Sequence, residues 1–194
     1  MTPAMRGMST SWSPSSSPAP ICANLFVLAA ASRGVFEAVQ PTLARICSRV
    51  FHVAEKPGGA HLMRQIDGFV CDTILGAACE CYVAGAKVGL DPLVMVKIFG
   101  VETGRTTASA KIFPEQIAMR RFDYGKRIGD ACRELALLCA EAAQLGVAAW
   151  VLGKTELLYR LAASLGSADD DITRLVTHYE KWAGAEVRAG ACTA

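Results

Sequence analysis

The feature that most constrains the fold of this chain is a helical repeat of apolar residues that continues from position 63 to position 88. Apolar side chains recur at intervals of three and four residues, in the order Met63, Ile66, Val70, Ile74, Ala77, Cys81, Ala84 and Val88. This spacing places them on one face of an α-helix about 40 Å long. We therefore predict one continuous helix over Ala60–Val88, and we expect this face, with Ile74 at its centre, to be buried.

Turn and cap signals divide the rest of the helical region. Gly89 is expected to end the long helix, and Asp91 and Pro92 are expected to begin the next helix as its N-cap and first residue. Further breaks are predicted at Gly104–Thr107, Phe113–Pro114 and Arg121–Gly125, and three more helices near 126–145, 148–165 and 169–183. Because no strand pattern follows Val53, we predict that residues 57–184 form an all-α domain.

A strand–helix–strand pattern precedes the helical region. Leu25–Ala30 and Arg49–Val53 have the length and composition of strands, and Gly34–Ser48 between them has helical spacing. Pro41 removes a backbone donor from that helix, so we expect a kink or two short helices there. Residues 21–56 therefore look like the end of an α/β domain.

The two ends of the chain have different compositions from the middle. Residues 1–20 contain four prolines and few charges, which predicts a disordered tail, and residues 185–194 are expected to be a flexible tail. A secretory signal is the alternative for the N-terminal region. The apolar stretch Ile21–Ala31 follows a Pro- and Ser-rich segment rather than an early charged one, which is the wrong order for export.

Charge and hydropathy exclude several partners. Twenty Lys and Arg residues against eighteen Asp and Glu give a net charge of +2, and 7% of residues are aromatic, so no basic, aromatic-rich face for nucleic acid is expected. The longest uninterrupted apolar run lies within Ile21–Ser32 and is shorter than the roughly 20 residues that cross a bilayer. We therefore expect a cytoplasmic chain with neither a nucleic-acid nor a membrane partner.

The eight cysteines have a spacing that disfavours disulfides and metal sites. On one helix, Cys79 and Cys81 point about 160° apart, so they do not converge on a metal ion. Cys132 and Cys139 share a helix face but are about 10.5 Å apart along its axis, beyond the ~7 Å limit for a disulfide. We expect buried free thiols in a reducing compartment, and no metal.

The start of the long helix carries the most specific motif. A small-residue turn, Gly58-Gly59-Ala60, opens the helix and places Arg64 about one turn inside it. Followed in order by Gly89-Leu90-Asp91-Pro92, Gly104-Arg105-Thr106 and Phe122-Asp123-Tyr124-Gly125, this segment resembles the β-hydroxyacid dehydrogenases, the family of 3-hydroxyisobutyrate and 6-phosphogluconate dehydrogenases. That family has the pattern Gly-x-Gly-x-x-x-Lys-x-x-Asn-Asn here.

The resemblance runs from about Leu25 to about Gly184 and implies a mostly α fold. The fold is an all-α C-terminal dehydrogenase domain around one long helix, preceded by a short β-α-β remnant of a Rossmann domain. The activity implied is hydride transfer between NAD or NADP and a small hydroxyacid or related carbonyl, in a homodimer. The dinucleotide fingerprint Gly-x-Gly-x-x-Gly is absent from these residues. We therefore expect a truncated chain that is inactive alone and does not bind the cofactor tightly.

The resemblance also assigns site residues, and two of them are altered. Arg64 occupies the position of the catalytic Lys and Gly68 that of the second Asn. Gly58, Gly59 and Ala60 would form the substrate- and cofactor-binding turn, and Arg133-Glu134 match a Lys-Asp pair that meets the cofactor. A guanidinium keeps its protons at pH 7, so Arg64 can stabilise an alkoxide but is a poor acid or base. We expect Arg64 to lie in a cleft within reach of Arg133 or Glu134.

Each of these residues also has a structural interpretation. Arg64 near a helix start is often a solvated charge or a carboxylate's partner, Gly58-Gly59 alone is a flexible turn, and Glu80 could pair with a neighbouring Arg or Lys. The alternative function is a non-catalytic helical module that dimerises through its long helix.

Overall fold

The protein is described by a computed structural model that covers residues 9–11, 25–101 and 104–189. The chain divides into two compact units, residues 1–67 and 68–194, and the division falls inside a helix. Cys22, Cys192 and most of the predicted N-terminal tail lie outside the described residues.

The first unit contains the predicted strand–helix–strand pattern. Strand β2, Phe26–Ala30, pairs in parallel with β3, Arg49–Ala54, and helix α1, Arg33–Leu43, connects them. A third strand, β1 at Ser9–Ser11, pairs antiparallel with β2 and was not predicted. The core of this unit consists of Leu28, Ala30 and Ala60, packed against Phe26, Val53 and Ala54.

Helix α1 differs from the prediction at its end. It stops at Leu43 instead of Ser48, and turns rather than a second helix follow it. Pro41 lies inside the single helix, two residues before its last residue. Proline has no backbone N–H to donate, but the helix ends so soon after it that no second helix forms. Behind α1, Phe36 stacks on His52 with ring centroids 4.5 Å apart, and the His52 Nε2 atom lies 2.7 Å from the carbonyl oxygen of Ala31.

Helix α2, Gly59–Lys87, is the predicted long helix. Gly89 follows it with a φ of 84°, and Asp91 then caps α3, Pro92–Val101, by accepting a hydrogen bond of 2.8 Å from the Leu93 N–H. Length and mean hydropathy, 1.4 over an 18-residue window, would allow α2 to cross a membrane. Asp72, however, is buried on α2 in an ion pair with Lys126 from a later loop, which is the environment of a helix inside a folded domain.

The buried face of α2 is not the predicted one. Leu75, Cys79, Tyr82 and Val83 are nearly inaccessible, whereas Met63, Ile66, Val70 and Val88 are 40–74% exposed and Ala77, Cys81 and Ala84 are also exposed. Two apolar faces share this helix, and apolar periodicity alone cannot tell which one is covered. The core is built around Tyr82, which stacks on Phe113 with ring centroids 3.9 Å apart.

The remaining elements of the second unit are helical. They are a π-helical segment Ala108–Ile117, α4 at Ile128–Gln144, α5 at Trp150–Ala162, a π-helical turn Ala163–Ser167, a 3-10 turn Ile172–Arg174 and α6 at Leu175–Ala183. No strand occurs between 60 and 184 in the described residues, so the all-α prediction is confirmed. The predicted break at Phe113–Pro114 is wrong, because Pro114 lies inside the π-helical segment.

Residues 185–189 are packed, which corrects the predicted flexible tail over that stretch. Val187 is fully buried, its N–H donates to the Glu180 carboxylate at 2.8 Å, and the Ala189 N–H donates to the Ala118 carbonyl. Glu180 also accepts two hydrogen bonds from Arg120, at 2.6 and 2.9 Å. Residues 190–194 lie outside the described part of the chain.

Candidate functional site

The small-residue turn has a packing role that the structure explains. Gly58 has a φ of 95°, a left-handed conformation that favours glycine. A Cβ on Gly59 would lie 2.4 Å from the Cβ of Ala54, and Ala60 is completely buried against the sheet. The turn therefore brings the start of α2 into direct contact with β3, and the side chain of Ala60 faces the core rather than a ligand.

Arg64 has a carboxylate partner on its own helix. Its Nη1 atom lies 3.5 Å from the Asp67 Oδ2 atom, and the two side chains are 37% and 55% exposed. A pair this open is weak, because water screens both charges. Arg64 is therefore a half-exposed cation whose guanidinium can exchange Asp67 for another anion.

Gly68 lies four residues after Arg64, and a step of four keeps residues on one helix face. It is buried, and it offers no side-chain amide to a substrate. Asp72 follows after another step of four and is buried as well. The predicted approach of Arg64 to Arg133 or Glu134 involves residues of both units and stays a prediction.

Asp72 belongs to an ion cluster that the sequence did not indicate. Lys126 Nζ donates to both Asp72 carboxylate oxygens, at 2.9 and 3.1 Å, and also lies 2.9 Å from Glu134 Oε2. Burial alone would lower the pKa of Lys126, but Asp72 and Glu134 outweigh it and raise that pKa above its usual value. Lys126 is thus a stable ammonium that joins α2 to α4.

Asp72 is held from a second side by α5. The Tyr159 hydroxyl donates to the Asp72 carbonyl oxygen at 3.0 Å, and Thr73 and Thr155 share a hydrogen bond of 3.0 Å. A step of four from Gly68 places Asp72 on the same face of α2, but this spacing does not identify the partner of Asp72. Lys126 itself lies in a loop, where no periodicity marks it.

Arg133 and Glu134 diverge around the helix and have different partners. Arg133 is 68% exposed and makes a short ion pair with Asp130, which also binds Arg127 at 3.0 Å. The hydrogen bond from Arg127 lowers the pKa of Asp130, and it outweighs the opposing effect of partial burial. Arg133 could contact an anion only by leaving Asp130, whereas Glu134 is engaged by Lys126.

Several predicted details are now resolved. His61 at the start of α2 is exposed, and Glu80 accepts a hydrogen bond of 3.0 Å from the Tyr179 hydroxyl rather than from a cation. Of the described cysteines, Cys47 and Cys79 are buried, Cys132 and Cys139 are partly buried, and Cys71 and Cys81 are exposed, so the expectation of uniformly buried thiols is wrong. None of these six forms a disulfide in the described part of the chain, and no group of metal-binding side chains occurs among the described residues.

Comparison with known proteins identifies the family of this chain. The family model for the NAD-binding domain of NADP-dependent 3-hydroxyisobutyrate dehydrogenase matches residues 58–179. The 2-(hydroxymethyl)glutarate dehydrogenase of Eubacterium barkeri is 23% identical over 166 residues, which are 86% of this chain and 55% of that protein.

Solved structures show the same fold. The 3-hydroxyisobutyrate dehydrogenase of Mycobacterium tuberculosis, solved with L-serine, has a TM-score of 0.71 at 18% identity, over 80% of this chain and 55% of that one. The Salmonella typhimurium 3-hydroxyisobutyrate dehydrogenase has a TM-score of 0.66 at 17% identity, over 80% of this chain and 54% of that one. The chain thus spans about half the length of the relatives it matches.

Proposed function

Because this chain belongs to the family of NADP-dependent 3-hydroxyisobutyrate dehydrogenases, we propose that it carries the substrate side of an NAD(P)-dependent oxidoreductase site. The reaction would move a hydride between a nicotinamide and a small hydroxyacid or related carbonyl. The observation that carries this proposal is Arg64, a half-exposed cation on α2 at the position of the family's Lys. A cation there attracts the carboxylate or the developing alkoxide of such a substrate.

The altered residues would limit the rate. The Arg64 guanidinium can stabilise negative charge but does not give up a proton near pH 7, and losing a proton-transfer group costs about 10²–10⁴ in rate. Gly68 supplies no amide to orient the substrate. We therefore propose binding and charge stabilisation by this chain, with slow or no turnover when it is alone.

The cofactor fits these residues only in part. NAD or NADP would supply the hydride, but its pyrophosphate needs a glycine-rich turn and a helix N-terminus that the sequence does not contain as Gly-x-Gly-x-x-Gly. Gly59 packs directly against Ala54, which leaves no room for a ligand between them, and Arg133 forms an ion pair with Asp130. We propose that a segment outside these residues binds the dinucleotide.

Two measurements test this proposal. Calorimetric titration of the chain with NAD and with NADP should show no binding in the low micromolar range, and such binding would show that another segment replaces the fingerprint. In a chimera that carries the nucleotide-binding domain of the M. tuberculosis relative, Arg64→Lys with Gly68→Asn should raise the rate of 3-hydroxyisobutyrate oxidation. Leu62→Met is a conservative control at the same helix start. A double variant no faster than the parent chimera would remove the catalytic assignment of both residues.

The second candidate function is a non-catalytic, cytoplasmic homodimerisation module. It is favoured by the exposed apolar face of α2, where Val70, Ala77, Cys81, Ala84 and Val88 are all accessible. Uncovered apolar surface of this extent favours burial by a second copy. Sedimentation should give a dimer at about ten micromolar that Ala77→Asp dissociates. A monomer at that concentration would exclude the module.

A further inference from the structure

An apolar stripe runs along the outer face of α5 and continues to Leu165 in the π-helical turn that follows the helix. Trp150, Leu157, Leu161 and Leu165 are 83%, 47%, 44% and 54% exposed. They follow one another at steps of seven, four and four residues, which is the spacing of one helix face. The stripe is about 22 Å long. This surface lies entirely in the second unit and is distinct from α2 and from the candidate site.

Two cations accompany the stripe. Lys154 and Arg160, with Trp150, Gly153 and Leu157, line a hollow of about 430 Å³. Within the part of the chain that the structure describes, Lys154 has no ion pair, and Arg160 has a single one, 3.6 Å from Glu156 on its own helix. Apart from its chain neighbours and the nearby backbone of its own helix, no atom lies within 4 Å of the position that a Cβ on Gly153 would take, so another helix can approach closely there.

The positive charges of Lys154 and Arg160 indicate which kind of partner fits this face of α5. If two copies packed this face antiparallel about Leu157, Lys154 of one copy would lie opposite Arg160 of the other, and like charges in register repel. A helix with carboxylates beside an apolar face has the complementary pattern. Apolar anchors at steps of four and seven, with an exposed tryptophan at one end, suit helix-on-helix recognition.

We infer that the α5 stripe, Trp150–Leu165, is a docking site for an acidic amphipathic helix of another polypeptide. Leucine-type side chains of the partner would cover Leu157 and Leu161, and its carboxylates would pair with Lys154 and Arg160. The inference does not depend on the hydride-transfer proposal, because none of these residues belongs to that site.

The test uses the full chain and two synthetic helical peptides. One peptide has leucines at steps of three and four with glutamates on both flanks, and the other has lysines in place of those glutamates. Binding is followed by the fluorescence of Trp150, with Trp150→Phe as the blank for the other tryptophans. The acidic peptide should bind at least tenfold more tightly than the basic one.

Charge reversal supplies the matched control. Lys154→Glu with Arg160→Glu should invert the preference between the two peptides, whereas Lys97→Glu with Lys181→Glu, which changes the net charge equally at other exposed positions, should leave it in place. Circular dichroism checks that both variants are folded. Equal binding of the two peptides, no binding, or the same response of both variants would overturn the inference. So would a dimer of the chain that Leu157→Asp dissociates, because a second copy would then be the occupant.

Discussion

Removing the Lys126 ammonium should destabilise the protein because it takes away the cation that pairs with the buried Asp72 carboxylate. The Asp72 side chain is 5% exposed and Lys126 21% exposed, so this is the most buried Lys–carboxylate pair in the described residues. Breaking a fully buried pair by deleting one partner costs about 3–5 kcal/mol. Because Lys126 is partly exposed and water can reach it, we expect about 2–3 kcal/mol for Lys126→Met. Urea unfolding measures it.

Two further variants test the cause of this loss. Lys126→Met with Asp72→Asn removes both charges and should recover most of the stability, since an uncharged amide is far cheaper to bury than a carboxylate. Lys97→Met, at an exposed position on α3, should change stability by less than about 0.5 kcal/mol. If Lys126→Met costs no more than this control, or if the double variant is as unstable as the single one, the argument from buried charge is refuted.

The pH dependence of the pair has a definite sign. The folded-state pKa of Lys126 is raised above its usual value of 10.5. The stabilisation from this pair is therefore fully present at neutral pH and is lost only as the pH rises through the raised pKa. The stability difference between the native chain and the uncharged double variant should stay constant from pH 7 to about pH 9 and change above pH 10.5.

Three other outcomes are expected. Gly59→Ala should destabilise the first unit by about 1–3 kcal/mol because its Cβ would clash with Ala54, whereas Gly34→Ala, which meets open space, should not, as urea unfolding would show. Leu75→Asp should lower the free energy of unfolding by several kcal/mol and Ile74→Asp by much less, because Leu75 is 2% exposed and Ile74 only partly buried. If the two variants lowered Tm equally, the observed orientation of α2 would be contradicted. Burial lowers the pKa of His178 below 6.5, so on acidification the unfolded chain takes up this proton before the folded chain does. The stability of the native chain should therefore fall between pH 7 and pH 5 by more than that of His178→Gln. Parallel pH profiles of the two proteins would show that His178 does not contribute.

The sequence predicted several helix boundaries well because a helix boundary depends mainly on the residues at that boundary. Gly89 and the Asp91-Pro92 pair mark helix boundaries by their own backbone preferences, and the structure places the end of α2 and the start of α3 there. Pro114 misled the prediction because a proline lacks only its own backbone donor, and the helical segment continues past it. The orientation of α2 was missed for a different reason, since burial is decided by neighbours distant in sequence, such as Phe113 against Tyr82.

The site was less predictable than the fold. Arg64 and Gly68 were assigned only by their match to a family pattern, and that assignment stays a prediction. The ion cluster of Asp72, Lys126 and Glu134 joins residues that are 54 and 8 positions from Lys126. No spacing rule connects a loop lysine to a carboxylate on another helix. Glu80 shows the same limit, because its partner is the Tyr179 hydroxyl, 99 residues away.

The close contact between Gly59 and Ala54 distinguishes two reasons why a glycine is retained in a glycine-rich turn, namely ligand binding and packing of the fold. In an enzyme that binds a ligand at such a turn, substitution is opposed both by loss of the ligand and by loss of the fold. Here the clash of any Cβ with Ala54 opposes substitution by itself. Related chains that lost catalytic activity would therefore still retain this glycine. The presence of Gly59 in a sequence is evidence for packing of the helix on the sheet and gives no information about catalysis.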